Sequence, residues 1–265
     1  MELKGLSVMK FRMKIADVLM DVSSQYEMLA EYCRDYIVED SAEEVSERLV
    51  LTMEDIEKER AIAEKSGESV STLGSLRNMT QYSPQYLETL AALRKIADFM
   101  PEKDCFLMHG AVIAWKDQGY LFTAPSGTGK STHLALWKKY LGEQAEVING
   151  DKPFLKVRED EVWVYGTPWA GKEQWQVNKK VALKGICFLG RGEKNSIQKI
   201  DSFSALPFLM RQVYFTDAPQ SAGKTMELLD QMLKIVPLYK MKCDISKEAF
   251  ECSFGAMTFG KWKLQ

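Results

Sequence analysis

The amino-acid sequence predicts an α/β fold: a mixed sheet in which a hairpin enters a glycine-rich loop, with an α+β extension before it. Three observations carry the prediction. Residues 120–132, YLFTAPSGTGKST, pass from β-prone residues through a Gly/Pro turn into a helical pattern. Just upstream, FLMHGAVIAW and YLFTA are apolar runs separated by the polar KDQG, a hairpin signature. Residues 39–69, EDSAEEVSERLVLTMEDIEKERAIAEKSGES, instead mix charge with one β-prone run, Arg48 to Thr52, and helix formers.

Taken in order, the chain divides near residue 80 into an N-terminal extension over 1–80, packed on a core domain over 81–265. SGESVSTLGS closes the extension as a loop, and the acidic runs read as solvated surface. In SPQYLETLAALRKIADFMP, Ser83 is the N-cap and Pro84 takes the first helical position. Leu87, Leu90, Ala91, Ile96 and Ala97 then form an apolar face that ends before Pro101. The hairpin and loop follow. From Gly129 a helix carrying Leu134, Leu136 and Trp137 runs to Gly142. AEVING is then a strand that delivers Asp151 at its C-terminal end, where open α/β sheets bind ligands. EVWVYG, KGICFLGRG and LYKMKCDI read as further strands, and KTMELLDQMLKIV as an amphipathic helix stopped by Pro237.

The loop fits G-x-x-x-x-G-K-[ST], except that Ala124 stands at the first glycine; an alanine fits there if it keeps an extended conformation. Pro125, Ser126, Gly127, Thr128 and Gly129 make a turn whose backbone N–H groups can point inward as an anion nest. The helix N-terminus adds partial positive charge, Lys130 reaches terminal phosphates, Ser131 is the expected magnesium ligand, and Thr132 follows it in the first turn. Lys130 and Asp151 are 21 residues apart. One β-loop-α-β unit can therefore bring both to the same phosphate and metal site.

Composition narrows the function classes. With 46% hydrophobic and 27% charged residues, the 265-residue chain is ordinary for a soluble globular protein and long enough to bury a full core. A formal net charge of −2 gives no footprint for nucleic acid. No signal-peptide pattern and no membrane-spanning apolar run is present, so neither export nor a membrane partner is expected. Cys33, Cys105, Cys187, Cys243 and Cys252 are scattered without C-x-x-C spacing, which fits a reduced cytoplasm and argues against zinc. With only His109 and His133, a histidine-rich metal centre is set aside.

HGAVIAW, APSGTGKST, NGD and GTPWAGK together resemble the C-terminal domain of HPr kinase/phosphorylase and its short relatives, over about residues 85–215. Those proteins share a nucleotide-binding core with phosphoenolpyruvate carboxykinases, and the chain is too short for a carboxykinase proper. The resemblance implies an ATP- and Mg²⁺-dependent phosphotransferase acting on a hydroxyl. Lys130 and Ser131 fall on the family's loop lysine and hydroxyl ligand, and Asp151 falls on its catalytic acidic motif. Gly150 stands where the family has the first of two aspartates, so one carboxylate must serve metal, substrate hydroxyl or both. His109 falls on a functional histidine; a core histidine on an apolar strand is the alternative.

In YGTPWAGKEQWQ, Gly166, Pro168 and Gly171 make a turn from which Lys172 could reach a phosphate and Trp169 could stack on a base or wall off the site. The alternative is a Trp-anchored surface turn with a solvated lysine. Glu173 is a candidate extra metal ligand, Arg211 a candidate for charge stabilisation, and His133 a packing or solvent-exposed residue. The expected activity is transfer of the γ-phosphoryl group of ATP to a hydroxyl on an unidentified small molecule, peptide or protein. Asp151, Lys130, His109 and Lys172 are the candidate catalytic set. A nucleotide-binding regulatory module that has lost transfer is the alternative, and nothing in the pattern specifies an oligomeric state.

Overall fold

The computed structural model describes residues 8–65 and 83–260, so the loop expected at SGESVSTLGS lies outside the described residues. The chain divides into two compact units, Met1–Phe99 and Met100–Gln265. This boundary falls later than the expected one near residue 80, because the helix that begins at Pro84 packs inside the first unit.

In the first unit, β1 (Met9–Ile15) and β2 (Val18–Ser24) form an antiparallel hairpin. Its turn residues Ala16 and Asp17 take φ of 50° and 63°, the positive values that a tight hairpin turn demands. β3 (Glu47–Val50) joins β2 in parallel. α1 (Met28–Tyr32) and α2 (Met53–Lys65) pack on α3 (Pro84–Phe99), whose expected apolar face is buried throughout. Ser83 Oγ accepts the N–H of Tyr86 at 3.2 Å, the capping bond its position calls for. Polar contacts lock α3 in place as well. Buried Glu88 accepts the N–H groups of Gln25 at 2.6 Å and Tyr26 at 3.1 Å. Arg94 pairs with buried Glu59, and Lys95 with Asp55 at 2.6 Å.

The second unit carries β4 (Cys105–Leu107), β5 (Ala111–Trp115), β6 (Gln118–Thr123), β7 (Ala145–Asn149), β8 (Phe154–Val157), β9 (Val162–Tyr165), β10 (Lys180–Arg191), β11 (Ser196–Ile200) and β12 (Leu238–Cys243). They form one mixed sheet in the order β4-β8-β9-β10-β6-β5-β7, with β12 beside β10 and β11 beside β12. Its helices are α4 (Lys130–Leu141), α5 (Ser202–Leu209), α6 (Pro219–Ile235) and α7 (Lys247–Phe259). Both faces of the sheet are covered. Val112, Leu121, Ile186 and Phe188 join the core under α5 and α6, while their neighbours Ile113, Phe122, Cys187 and Leu189 join the core under α4 and α7. That alternation in residues apolar on both sides explains why these strands read as continuous hydrophobic runs.

The apolar run FLMHGAVIAW is two strands and not one. β4 pairs with β8 and β5 with β7, so residues 105–115 and 145–157 make a single antiparallel ribbon, bent where Met108, His109 and Gly110 face Asp151 to Pro153. At the bend Met108 N–H donates to Pro153 O at 3.2 Å and Gly110 N–H to Asp151 O at 2.9 Å. The ribbon's two halves stand at opposite ends of the strand order, which curls the sheet. The hairpin turn is shorter than KDQG: Lys116 and Asp117 alone take positive φ, 51° and 57°, and Gln118 already belongs to β6. Among the described residues no helix is long and apolar enough to cross a membrane.

Candidate functional site

β6 ends at Thr123, and residues 124–129 lead from it into α4. Ala124 is buried and keeps a negative φ, so its methyl group is tolerated where the motif has glycine. Gly127 and Gly129 take φ of 75° and 119°, values costly for any residue with a Cβ. Pro125, Ser126 and Thr132 are exposed, and Thr128 and Ser131 are half-buried. Arg191, at the end of β10, donates to Gly127 O at 2.6 Å. Beside the loop lies a cleft of about 620 Å³. Gly127, Thr128, Leu136, Leu189, Arg191 and Ile245 are among its walls.

At the ribbon bend the side chains converge. Lys130 Nζ lies 2.9 Å from His109 Nε2 and 3.3 Å from Ala124 O. On the other side of the ring, His109 Nδ1 donates to Gln212 Oε1 at 2.8 Å, while the backbone N–H of His109 donates to Gln212 O at 2.7 Å. Nδ1 therefore carries a proton, and Nε2 faces the Lys130 ammonium and the Asp151 carboxylate together. Burial, Lys152 and Lys130 push the imidazole pKa down against the pull of Asp151. Asp151 Oδ1 lies 3.1 Å from His109 Nε2, and Oδ2 lies 3.1 Å from Lys152 Nζ.

Burial acts to raise the Asp151 pKa, but Lys152, His109 and Lys130 outweigh it and hold the carboxyl well below the usual range. Burial, reinforced by Lys152 and opposed by Asp151 and Glu173, brings Lys130 down to about 8. Lys152 is also lowered, by its burial against the pull of Asp151. Apart from the Asp151 carboxylate, its buried Nζ has no hydrogen-bond partner among the described residues.

The backbone under these groups is fixed by Asn149, which is fully buried. Its Oδ1 accepts the N–H groups of Asp151 at 2.9 Å and Lys152 at 2.7 Å, and its Nδ2 donates to Thr167 O at 3.0 Å. Thr167 Oγ1 in turn donates to Lys152 O at 2.7 Å. Gly150 is a contact position: a Cβ there would stand 2.5 Å from Ala170 O. The paired-aspartate arrangement therefore has no room in this backbone.

The structure brings together Lys130, His109 and Asp151 from the sequence-derived set. Lys172 and Glu173 are exposed on the turn after Gly171, and a Cβ on Gly171 would lie 3.2 Å from Asp151 Cβ. Trp169 is buried, so it walls the site and offers no open ring face for stacking. Arg211 is exposed, and its neighbour Gln212 is the residue that reaches His109. His133 is a packing residue: Nε2 lies 2.9 Å from Ser253 Oγ, the ring packs 4.6 Å from Phe122, and burial brings its pKa down to about 4. Lys152, Gln212, Asn149, Thr167 and Arg191 were not singled out by sequence reading. The Asx-type signal in NGD was available for Asn149. Among the described residues no group of three or more His, Cys, Asp or Glu side chains is placed to hold a metal ion.

No curated protein sequence matches the chain. Among solved structures, the Hpr(Ser) kinase/phosphatase from Coxiella burnetii is similar at 15% identity, with 54% of this chain and 88% of that one covered and a TM-score of 0.29. A family model described as SynChlorMet cassette protein ScmC matches residues 73–252. That match spans more than half of the chain and takes in the loop, the ribbon bend and Gln212, so this protein belongs to the ScmC family.

Proposed function

We propose that this protein is an ATP-dependent phosphotransferase that moves the γ-phosphoryl group to a hydroxyl of a small molecule, peptide or protein. The observation that supports the reading best is the meeting of Lys130, His109 and Asp151 where the glycine-rich loop abuts the end of β7. Loop N–H groups and the Lys130 ammonium would hold the β- and γ-phosphates. The cleft beside the loop, with Leu136 and Leu189 in its walls, would take the nucleoside. Ser131 and Asp151 suit a magnesium ion, which needs only one or two protein oxygens beside substrate phosphates and would neutralise charge between them. His109 steadies the Lys130 ammonium through its lone pair, Asp151 accepts the proton of the incoming hydroxyl, and Lys172 orients an acidic acceptor from the neighbouring turn. Phosphoryl transfer asks mainly for such positioning and charge stabilisation.

A second reading, a nucleotide-binding regulatory module without transfer, is favoured by Gly150, which leaves Asp151 without a second carboxylate beside it. Calorimetry tests the shared part of both readings. Lys130→Ala should weaken ATP far more than adenosine, because the lysine meets only the phosphates; equal losses for the two ligands would remove Lys130 from the phosphate site. For the turn, Lys172→Ala should lower turnover or raise the acceptor KM, with stability unchanged within about ±0.5 kcal/mol, as expected of an exposed substitution. A fully active Lys172→Ala protein would make the turn a surface feature.

A further inference from the structure

Two buried lysines, Lys152 and Lys130, act on the Asp151 carboxylate at the ribbon bend, and the exposed Glu173 also acts on Lys130. Lys152 has a side chain only 3% exposed, and among the described residues its one ion pair is with Asp151. Asp151, 22% exposed, is the more open partner of that pair. Lys130 also acts on Asp151, and His109 Nε2 lies 3.1 Å from its Oδ1. A second carboxylate to balance the second lysine is shut out at position 150 by Ala170 O. The Lys152 ammonium is thus a buried group with three N–H donors and one carboxylate oxygen beside it, Asp151 Oδ2 at 3.1 Å. Such a group is costly unless something completes it.

We propose that Asp151 is an internal stand-in for a phosphate: a terminal phosphate group displaces its carboxylate from Lys152 and is then held between the Lys152 and Lys130 ammonium groups. The inference rests on the phosphate-site reading above and deepens it. Lys152 supplies from the protein's own chain part of the charge neutralisation for which phosphoryl-transfer sites otherwise use metal ions. Di- and triphosphates therefore bind without a divalent cation, and Asp151 competes with them. The released carboxylate is free to meet a metal ion or the acceptor hydroxyl.

Calorimetry with ATP and with inorganic pyrophosphate, each in EDTA and in magnesium, tests this on the full chain. In EDTA, Asp151→Asn should tighten both ligands about tenfold or more, since the competing anion is gone while the shape is kept. Lys152→Met should weaken both by a similar factor, and the Asp151→Asn/Lys152→Met double variant should lose the gain of the single one. The double variant removes both charges of the Asp151–Lys152 pair together, so it keeps the test readable if Lys152→Met alone folds poorly. If Asp151→Asn binds no tighter than wild type in EDTA, the inference is overturned, even where wild type binds magnesium-ATP and Lys130→Ala abolishes that binding. If wild type and all variants bind neither ligand in either condition, the phosphate-site reading falls with it.

Discussion

Asparagine in place of Asp151 is expected to lower phosphoryl transfer by about 10²- to 10⁴-fold, the usual effect of losing a general base. The amide reproduces the shape of the carboxylate and neither its charge nor its basicity. The loss should appear in kcat, because the interaction matters most in the transition state. Asn149 and Thr167 hold the backbone of residues 151 and 152 without using the Asp151 side chain, and the asparagine amide oxygen still offers Lys152 an acceptor in place of its ion pair. Labelled-phosphate transfer to a panel of hydroxyl acceptors, wild type beside variant, is the measurement. A variant that transfers at the wild-type rate would take Asp151 out of the chemistry. A wild type that transfers to nothing, yet changes shape or partner affinity with ATP, would favour the regulatory module.

The second large effect is on stability. Gly150→Asp, which would write a paired aspartate into the chain, is expected to destabilise the second unit by about 3 kcal/mol or more. Its Cβ would lie 2.5 Å from Ala170 O and 3.6 Å from Trp175 O, both backbone atoms, so the 166–177 segment itself must move. Moving it strains the bond from Lys152 N–H to Trp169 O, now 3.1 Å, and with it the register of the site. Denaturant unfolding of Gly150→Asp and Gly150→Ala separates the steric part from the added charge. An alanine variant as stable as wild type would mean that the approach of Ala170 O yields easily and does not bar a side chain.

Sequence reading succeeded where structure is set locally and failed where it is set by distant pairing. The strand-loop-helix from Tyr120 to Leu141 was legible because glycines, proline and a helical period punctuate it within a few residues. So was the strand delivering Asp151. The break at Met108–Gly110 was not legible, because nothing in an unbroken apolar run shows that its two ends have different partners, Leu155 and its neighbours for one and Val147 and its neighbours for the other. The hairpin of β1 and β2 escaped for a related reason: its turn is Ala16-Asp17, without the glycine or asparagine that positive φ usually recruits. Lysine after aspartate reads as solvated, and only the packing of the site's segments buries Lys152. In FLMRQVY the reading settled on the charged Arg211. An isolated bridge between Met108 and Val213 sets the phase of that segment and turns Gln212 to the histidine.

β10 has a consequence for the order in which the protein forms. Its first residues pair with β9, its middle with β6 and its last with β12, so one strand waits on segments spread from Gln118 to Cys243. Contacts this far apart in sequence carry a large loop-closure cost before they repay it, and domains dominated by them fold in milliseconds to seconds. A ribosome that has released the chain only as far as Arg191 has made the loop, His109 and Asp151, yet leaves half of β10 as an open parallel edge. Gln212, which fixes the proton on His109, arrives later still. Assembly of the site is therefore expected to coincide with the final, cooperative closing of the sheet, and a nascent or truncated chain ending before β12 should have neither.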